Sequence, residues 1–290
     1  MESEILLCAG LDQQQIDKYR RIEARLGETV KPLAEDYFYG KYGHISEIYE
    51  PLRQLVPAEP DLLAAILIVV LHCAQLRANT LNGKKRELFL DALIDISCKI
   101  RECEAYKKTF GIFVMNWYDG LIKNWRVQLG RLQYEVGVHS GEEVRIGDFT
   151  LQAGDHKLQC HIPSGLGPLT RQNCLASLKK AWEEFPELRK NGYLPVLCHS
   201  WLFYPPYEAV FGQDTGVGMF RSLWHCYGAS VQESFYDCWR IYAMDMPADP
   251  ALLPQNTRMQ RDFVRYIQEG GSFGDAWGIL LFDGETIITG

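Results

Sequence analysis

Two strand-like segments of the sequence each deliver a cysteine followed by a histidine. They are KLQCHIPSGLGPLT at residues 157–170 and LPVLCHSWLFYPP at residues 194–206. Thiols and imidazoles are the side chains of nucleophilic, acid–base and metal chemistry. Neighbouring side chains of a strand point to opposite faces. If the two strands are adjacent, His161 and His199 are predicted to face one shared site, while Cys160 and Cys198 face the core.

The spacing of these residues disfavours two other chemistries. A hydrolase with Cys198 as its nucleophile would need a histidine nearby in space, and sequence neighbours on a strand diverge. A zinc site would draw on His161, His199, His225 and several cysteines, but their spacings match no compact ligand pattern. We therefore expect no metal cofactor.

The segment after the first Cys-His pair has features of a phosphate-binding loop. Gly165 and Gly167 allow a ligand to approach the backbone closely, and Thr170 is a candidate N-cap for the helix that follows. Free N–H groups at a helix N-terminus favour anions. Two glycines alone are weak evidence for phosphate binding, because most loops of this kind bind no ligand.

Composition and charge indicate a globular protein with one large or two modest domains. The 290 residues are 47% apolar, and the net charge is −7 with no Lys/Arg-rich run, which argues against a nucleic-acid partner. The acidic start MESEILLCAG lacks the basic region of a secretory signal. The apolar run LLAAILIVVL, residues 62–71, is too short to span a membrane and is predicted to be a buried helix. Nine cysteines without a CxxC pair predict reduced thiols in a cytoplasm.

Residues 1–126 are predicted to form an all-helical domain. Apolar residues recur at three- and four-residue spacing, as in ELFLDALIDISCKI. Gly27 is predicted to end the first long helix, which starts near residue 11. The other predicted helices span residues 32–42, 45–55, 61–76, 85–104 and 113–125.

Residues 127–290 are predicted to form a mixed-sheet α/β domain, so that the fold class is α+β. The predicted strands include RLQYEVGV, LPVLCHSW, YDCWRIYAM and a terminal hairpin of AWGILLF and ETIIT around Asp283-Gly284. Helices are predicted at 170–185, 214–226 and 257–269. The last of these opens with a capping box of Thr257 and Gln260.

Several motifs of the chain resemble a bacterial family of GNAT-like acyltransferases. In chain order they are ELFLDALIDISCKIRECEAYKKTFGIF, GRLQYE, HIPSG with PLT and SLKKA, CHSWL, and LPQNTRMQRDFVRYIQEGGSFGDAWGILL. They fall between residues 40 and 282. The resemblance implies a helical N-acyltransferase domain over residues 1–126, a GNAT-like domain over residues 127–290, and a bacterial source.

The resemblance also implies where an acyl thioester would bind. In GNAT folds the pantetheine arm lies between two splayed strands, here similar to residues 159–163 and 194–200, and the pyrophosphate sits on the loop after the first. The implied donor-binding residues are His161, Ile162, Ser164, Gly165, Gly167, Thr170 and Arg171. Ile162 stands where the family has Arg or Gln. This departure favours a donor other than acetyl-CoA, or an alternative function as a non-catalytic ligand-binding or sensing protein on a degenerate GNAT scaffold.

The implied reaction is acyl transfer from acyl-CoA, or from an acyl carrier protein, to a small-molecule amine. Such a reaction needs a base for the amine proton and often an acid for the leaving thiolate. His199 is the candidate base, because histidine titrates near neutral pH. Ser200 and Tyr204 are the candidate acids. The competing interpretation is that His199 is a structural residue satisfied by a hydrogen bond.

Overall fold

The structure, a computed structural model, describes residues 2–123 and 125–289 of the chain. It divides into two units, Met1–Gln128 and Leu129–Gly290. The first unit is helical up to the strand that ends it, and the second is built on a mixed sheet. The predicted α+β class is therefore confirmed.

Within the described residues 2–123, the first unit packs seven α-helices around one apolar core. Two short 3₁₀ turns, Ile45–Ile48 and Met115–Tyr118, connect some of them. The helices are α1 (Glu2–Cys8), α2 (Gln13–Phe38), α3 (Tyr49–Leu55), α4 (Glu59–Thr80), α5 (Gly83–Ala92), α6 (Asp95–Lys107) and α7 (Asp119–Ile122).

Helix α4 forms the centre of this core. Its residues 62–71 are all buried, which confirms the prediction of a buried apolar helix for this segment. A helix that is apolar on every side needs neighbours on every side. Among the described residues α4 is also the one helix long and apolar enough to cross a membrane by length and composition, and 72% of its most apolar stretch is buried within the protein.

Helix α2 is longer than predicted, because it continues through Gly27 and Pro32. Its buried face, with Tyr19, Val30 and Ala34, runs along the whole helix. We attribute the continuity to this burial, which offsets the roughly 1 and 3 kcal/mol that glycine and proline cost inside a helix. The predicted helix over 85–104 is also wrong in detail: α5 and α6 are separated at residues 93–94. In place of the predicted helix over 113–125, the described residues of this segment form a 3₁₀ turn and the short α7.

The second unit contains a seven-stranded sheet in the order β1-β2-β5-β6-β8-β7, with β9 paired to β8. A separate hairpin is formed by β3 and β4. The strands are β1 (Arg126–Leu129), β2 (Leu132–Val138), β3 (Val144–Ile146), β4 (Phe149–Leu151), β5 (His156–His161), β6 (Leu194–Ser200), β7 (His225–Gln232), β8 (Phe273–Phe282) and β9 (Ile287–Ile288). Strands β5 and β6 are parallel, with Leu158 opposite Val196 and Gln159 opposite Leu197, and β8 is antiparallel to both β6 and β7.

The helices of this unit are α8 (Arg171–Glu184), α9 (Gly216–Arg221), α10 (Cys238–Tyr242) and α11 (Arg258–Gln268). Thr170 caps α8, and the capping box of Thr257 and Gln260 opens α11, as predicted. The terminal hairpin of β8 and β9 is also confirmed.

Two predictions for this unit are wrong. The segment YDCWRIYAM forms the short helix α10 instead of a strand. Strand β7 begins at His225, inside the region predicted as helix to residue 226. Most of the residues of β7 are exposed or half-buried, so this edge strand lacks the apolar alternation that marks a strand in sequence.

The two faces of the sheet are covered by different elements. Helix α8 packs on the cysteine face, where the hydroxyl of Ser177 contacts the Tyr134 hydroxyl at 3.1 Å and accepts from the Leu132 amide. The β3–β4 hairpin packs on the opposite face, which we call the histidine face. There Val144, Ile146, Phe149 and Leu151 contact Leu197, Ile279 and Leu281.

Candidate active site

His199 lies near the end of β6 and contacts a carboxylate on the neighbouring strand. Its Nε2 atom is 3.0 Å from Asp275 Oδ1 on β8. The other carboxylate oxygen of Asp275 accepts a hydrogen bond from the Gln232 side chain on β7 at 2.7 Å. Because Nε2 donates its proton to Asp275, the lone pair of the neutral ring lies on Nδ1. The His199 side chain is 42% exposed, so this ring can accept a proton from a bound molecule.

The His199 ring also stacks on Trp277, which lies directly opposite it on β8. The ring centroids are 4.6 Å apart, and the planes are inclined by 32°. Trp277 in turn borders a cavity of about 610 Å³ that is also lined by residues 139–145, Leu197 and Tyr227. Such a volume suits part of a small-molecule substrate.

Lys157 lines the same cavity, with its ammonium 5.0 Å from the centre of the Trp277 ring. The ammonium donates to the side-chain oxygen of Gln159 at 2.9 Å. Burial lowers the pKa of Lys157 below its ordinary value, because the charged form loses hydration.

His161 lies at the end of β5, on the same face as His199. Its Nε2 atom is 3.3 Å from Glu135 Oε2 on β2, and Gln133 lies directly opposite it on that strand. The structure therefore brings the two predicted histidines to one face of adjacent strands, each beside a carboxylate. The predicted placement of the two cysteines in the core is confirmed, since Cys160 and Cys198 are 1% and 2% exposed.

The loop after β5 leads into the N-terminus of α8. Ser164, Gly165 and Gly167 are exposed, and Arg171 is the exposed first residue of the helix. Gly167 has φ +82° in open surroundings, a conformation that favours glycine. Thr170 accepts from the Asn173 amide and leaves other N–H groups of the first turn without helical partners. This arrangement is suited to hold a phosphate group.

Ile162 is half-buried and packs against the aromatic cluster of this unit. The cluster includes Tyr204, Tyr207, Phe235 and Phe263. The side chain at the position of the family's Arg or Gln therefore contributes to the core.

The structure gives the two candidate acids other partners. The Ser200 hydroxyl accepts from the Leu202 amide at 3.2 Å and caps a 3₁₀ turn, and Ser200 points to the face opposite His199. The Tyr204 ring is buried, and its hydroxyl contacts Ser272 Oγ at 2.9 Å. Their roles as acids remain predictions.

The buried thiols are poor nucleophiles in this arrangement. Burial, together with the neighbouring Cys198 thiol, raises the pKa of Cys160 well above its ordinary value. Cys198 points away from His199 and cannot form a dyad with it. Among residues 2–123 and 125–289, no group of three or more His, Cys, Asp or Glu side chains is arranged to hold a metal ion.

Sequence reasoning missed the groups that surround the two histidines: Gln133, Glu135, Gln232, Asp275 and Trp277. A partial signal was present in each strand. Asp275 interrupts an apolar strand, and Gln133 and Glu135 alternate with buried residues so that both face the same side. What the sequence does not contain is the pairing of β8 with both β6 and β7, which brings Asp275 to His199.

Solved structures with a similar fold are acyltransferases. One, an acyltransferase in complex with decanoyl-CoA and teicoplanin, has a TM-score of 0.60 and 15% identity, covering 96% of this chain and 98% of that chain. Another, an acyltransferase variant in complex with octanoyl-CoA, has a TM-score of 0.62 and 14% identity over the same shares. At these identities the likeness shows the fold alone. No curated protein matches the sequence.

The sequence profile of the GNAT-like C-terminal domain matches residues 127–280, more than half of the chain. This range contains both histidines, the loop before α8, and Asp275. The resemblance inferred from the motifs is thereby confirmed. The chain belongs to the family of proteins that carry a GNAT-like C-terminal domain.

Proposed function

We propose that the protein is an N-acyltransferase that moves an acyl group from acyl-CoA to the amine of a small molecule. The observation that carries this proposal is the hydrogen bond between His199, near the end of β6, and Asp275 on the neighbouring strand β8. A carboxylate-oriented imidazole is suited to take a proton from an attacking amine.

The similar solved structures support a thioester donor with a medium-length acyl chain, since they hold decanoyl-CoA and octanoyl-CoA. The exposed loop of residues 164–170 and the capped start of α8 would hold the pyrophosphate of CoA. An acyl carrier protein is an alternative donor, because it presents the same pantetheine thioester. Nine free thiols support action in a cytoplasm.

In the proposed reaction the amine attacks the thioester carbonyl carbon, and the N–C bond forms. Nδ1 of His199 takes a proton from the attacking nitrogen, while Asp275 stabilises the resulting imidazolium. The C–S bond then breaks, and its electron pair leaves with the sulfur of CoA, which is protonated to the thiol.

A second candidate function is favoured by Ile162. Its side chain is half-buried against the aromatic cluster, in place of the Arg or Gln of the family's loop. A protein that binds CoA or a related ligand without turnover would tolerate this change. The two functions differ in one outcome, the release of thiol in the presence of an amine.

The test measures free CoA thiol and the amide product with octanoyl-CoA or decanoyl-CoA and a panel of small amines. The wild-type protein is compared with His199→Asn and with His156→Asn, an exposed histidine on the same sheet that serves as the control. We expect His199→Asn to reduce kcat by about 100-fold or more, and His156→Asn to keep full activity. Thermal stabilisation by these thioesters without thiol release from any of them would instead support the non-catalytic function.

A further inference from the structure

The histidine face of the sheet carries a second imidazole–carboxylate pair beside the first. His161 Nε2 and Glu135 Oε2 are 3.3 Å apart across β5 and β2, and both side chains are partly exposed, at 20% and 22%. The pair occupies positions equivalent to those of His199 and Asp275, with the histidine on an inner strand and the carboxylate on the next strand outward, at a longer separation.

The two pairs lie on one face of neighbouring strands. The parallel pairing of β5 and β6 runs as far as Gln159 opposite Leu197, and each strand continues for two more residues to His161 and His199, which face the same side. On the other face the Cys198 thiol is near enough to Cys160 to contribute to the raised pKa of that thiol. The two imidazoles thus follow two residues after the last paired positions of the two strands.

Gln133 adds an unsatisfied polar group to this site. It lies opposite His161 on β2 and is 1% exposed, yet neither its amide nitrogen nor its amide oxygen has a hydrogen-bond partner among the described residues. Buried amides are rarely left unpaired in proteins, and the exceptions are explained by a functional role, by strain or by a bound water or ion. An amide offers one donor side and one acceptor side, so it fits a polar group of a substrate.

We propose that His161, positioned by Glu135, is a second proton acceptor of this site, and that Gln133 binds the acceptor molecule beside it. The inference rests on the proposed function. It specifies the acceptor as a primary alkylamine that reaches the site as an ammonium ion and carries a hydrogen-bonding group near its nitrogen.

An ammonium nitrogen must lose two protons to become an amide, and the two imidazoles accept one proton each. An ammonium group loses its first proton to His161, which frees the lone pair that forms the N–C bond. His199 takes the second proton as the tetrahedral intermediate forms. When the C–S bond breaks, the sulfur receives one of these two protons and the other is released to solvent. Glu135 on β2 contacts His161 directly, and the same face also carries the titratable groups of Lys157 on β5, His199 on β6 and Asp275 on β8.

The experiment compares two acceptors of similar size with octanoyl-CoA as donor. Benzylamine is an ammonium ion at about pH 7.5, as alkylamines are, whereas phenylhydrazine is largely neutral there. We expect His161→Asn to lower kcat/KM for benzylamine by about 100-fold but for phenylhydrazine by less than about threefold. The loss with benzylamine should shrink by about tenfold per pH unit as the pH rises toward the pKa of the amine.

Three further variants keep the test decisive if His161→Asn folds poorly. Glu135→Gln should show the same selective loss for benzylamine, and His156→Asn should show none. Gln133→Leu should raise KM for an acceptor with a polar group near its amine, such as phenylalaninamide, without lowering the melting temperature, since no internal hydrogen bond is lost.

The outcomes distinguish a failure of the His161 role from a failure of the proposed acyl transfer. Equal losses with benzylamine and phenylhydrazine in His161→Asn, in a wild-type protein that is active, would overturn the role of His161 and leave the proposed function intact. A marked loss of thermal stability in Gln133→Leu would overturn the role of Gln133. A wild-type protein without thiol release for any acceptor would reject the proposed function, and this inference with it.

Discussion

The carboxylate of Asp275 on β8 accepts a hydrogen bond from the His199 ring on β6 at 3.0 Å and a second one from Gln232 on β7 at 2.7 Å. One side chain thus joins three strands on one face of the sheet. Because β8 lies between β6 and β7, the orientation of His199 depends on the alignment of all three strands.

Replacing Asp275 should impair catalysis more than substrate binding. We expect Asp275→Asn to lower kcat by about 100-fold with little change in KM, because the amide fixes the wrong tautomer of His199 and cannot stabilise its charged form. Thiol release at saturating octanoyl-CoA and amine measures this effect. Glu187→Gln, an exposed carboxylate on a turn of the same unit, is the control and should be silent. A variant with a normal kcat would remove Asp275 from the site.

Gly274, next to Asp275, has no room for a side chain. A Cβ atom there would lie 2.2 Å from the Ser230 carbonyl oxygen and 2.4 Å from the Tyr204 ring. We expect Gly274→Ala to lower the free energy of unfolding by about 2 kcal/mol and to reduce activity by displacing Asp275.

Gly137 is the matched control, since it also lies in a strand and its Cβ would contact only Lys157, at 3.7 Å. Gly137→Ala should change stability by less than about 0.5 kcal/mol. Urea denaturation compares both variants with the wild type. If the two variants were equally stable, β7 and the Tyr204 ring would have to shift readily to accommodate a Cβ atom at residue 274, and the prediction would be wrong.

Ser177 joins α8 to the start of the sheet. Its buried hydroxyl donates to the Leu129 carbonyl, accepts from the Leu132 amide at 3.2 Å and contacts the Tyr134 hydroxyl. Ser177→Ala should lower the free energy of unfolding by about 2 kcal/mol, because it leaves buried polar groups without partners.

The control for this prediction is Ser222→Ala, an exposed serine that bonds only within its own turn. It should shift stability by less than about 0.5 kcal/mol in the same urea titration. A Ser177→Ala protein as stable as the control would mean that the surrounding groups find new partners.

The protein should lose stability in alkaline solution because its buried thiols resist ionisation. Burial raises the pKa of Cys174 and Cys238 to about 11, and that of Cys103 to about 12. Since the folded pKa lies above the unfolded value, folding favours the neutral thiol. The stabilising contribution is complete below the unfolded pKa and is lost as the pH rises above it.

Between about pH 9 and pH 11 each such thiol should lower the free energy of unfolding by on the order of 1 kcal/mol per pH unit. Urea titrations under reducing conditions across this range measure the slope. Cys174→Ala should reduce the slope of the free energy of unfolding against pH by the contribution of one thiol. A wild-type stability that stays constant through this range would contradict the prediction.

The elements that local signals determine were predictable from the sequence. Thr170 and Thr257 cap their helices, and the apolar run of β6 has the length of a buried strand. The faces of His199 and Cys198 follow from strand alternation alone. Gly27 and Pro32 misled the prediction of α2, because tertiary burial outweighs local propensity there.

The site itself depends on long-range pairing. Asp275 is separated from His199 by 76 residues, and the local sequence around each residue does not indicate that the two are in contact. Strand β7, which supplies Gln232, lies at the edge of the sheet and is largely exposed, so its sequence lacks a strand pattern. The partnership of Glu135 and His161 likewise requires the register of β2 against β5.

The position of β8 also bears on how the protein is synthesised. During translation β6 and β7 are synthesised before β8, the strand that lies between them in the sheet. Until β8 has been synthesised, both strands have an unpaired edge. In a nascent chain that stalls before residue 273, His199 would lack its carboxylate partner. Strands β6 and β7 would each expose an unpaired edge that can pair with other chains. Chaperone dependence and inclusion-body formation should therefore be concentrated in chains that lack this strand.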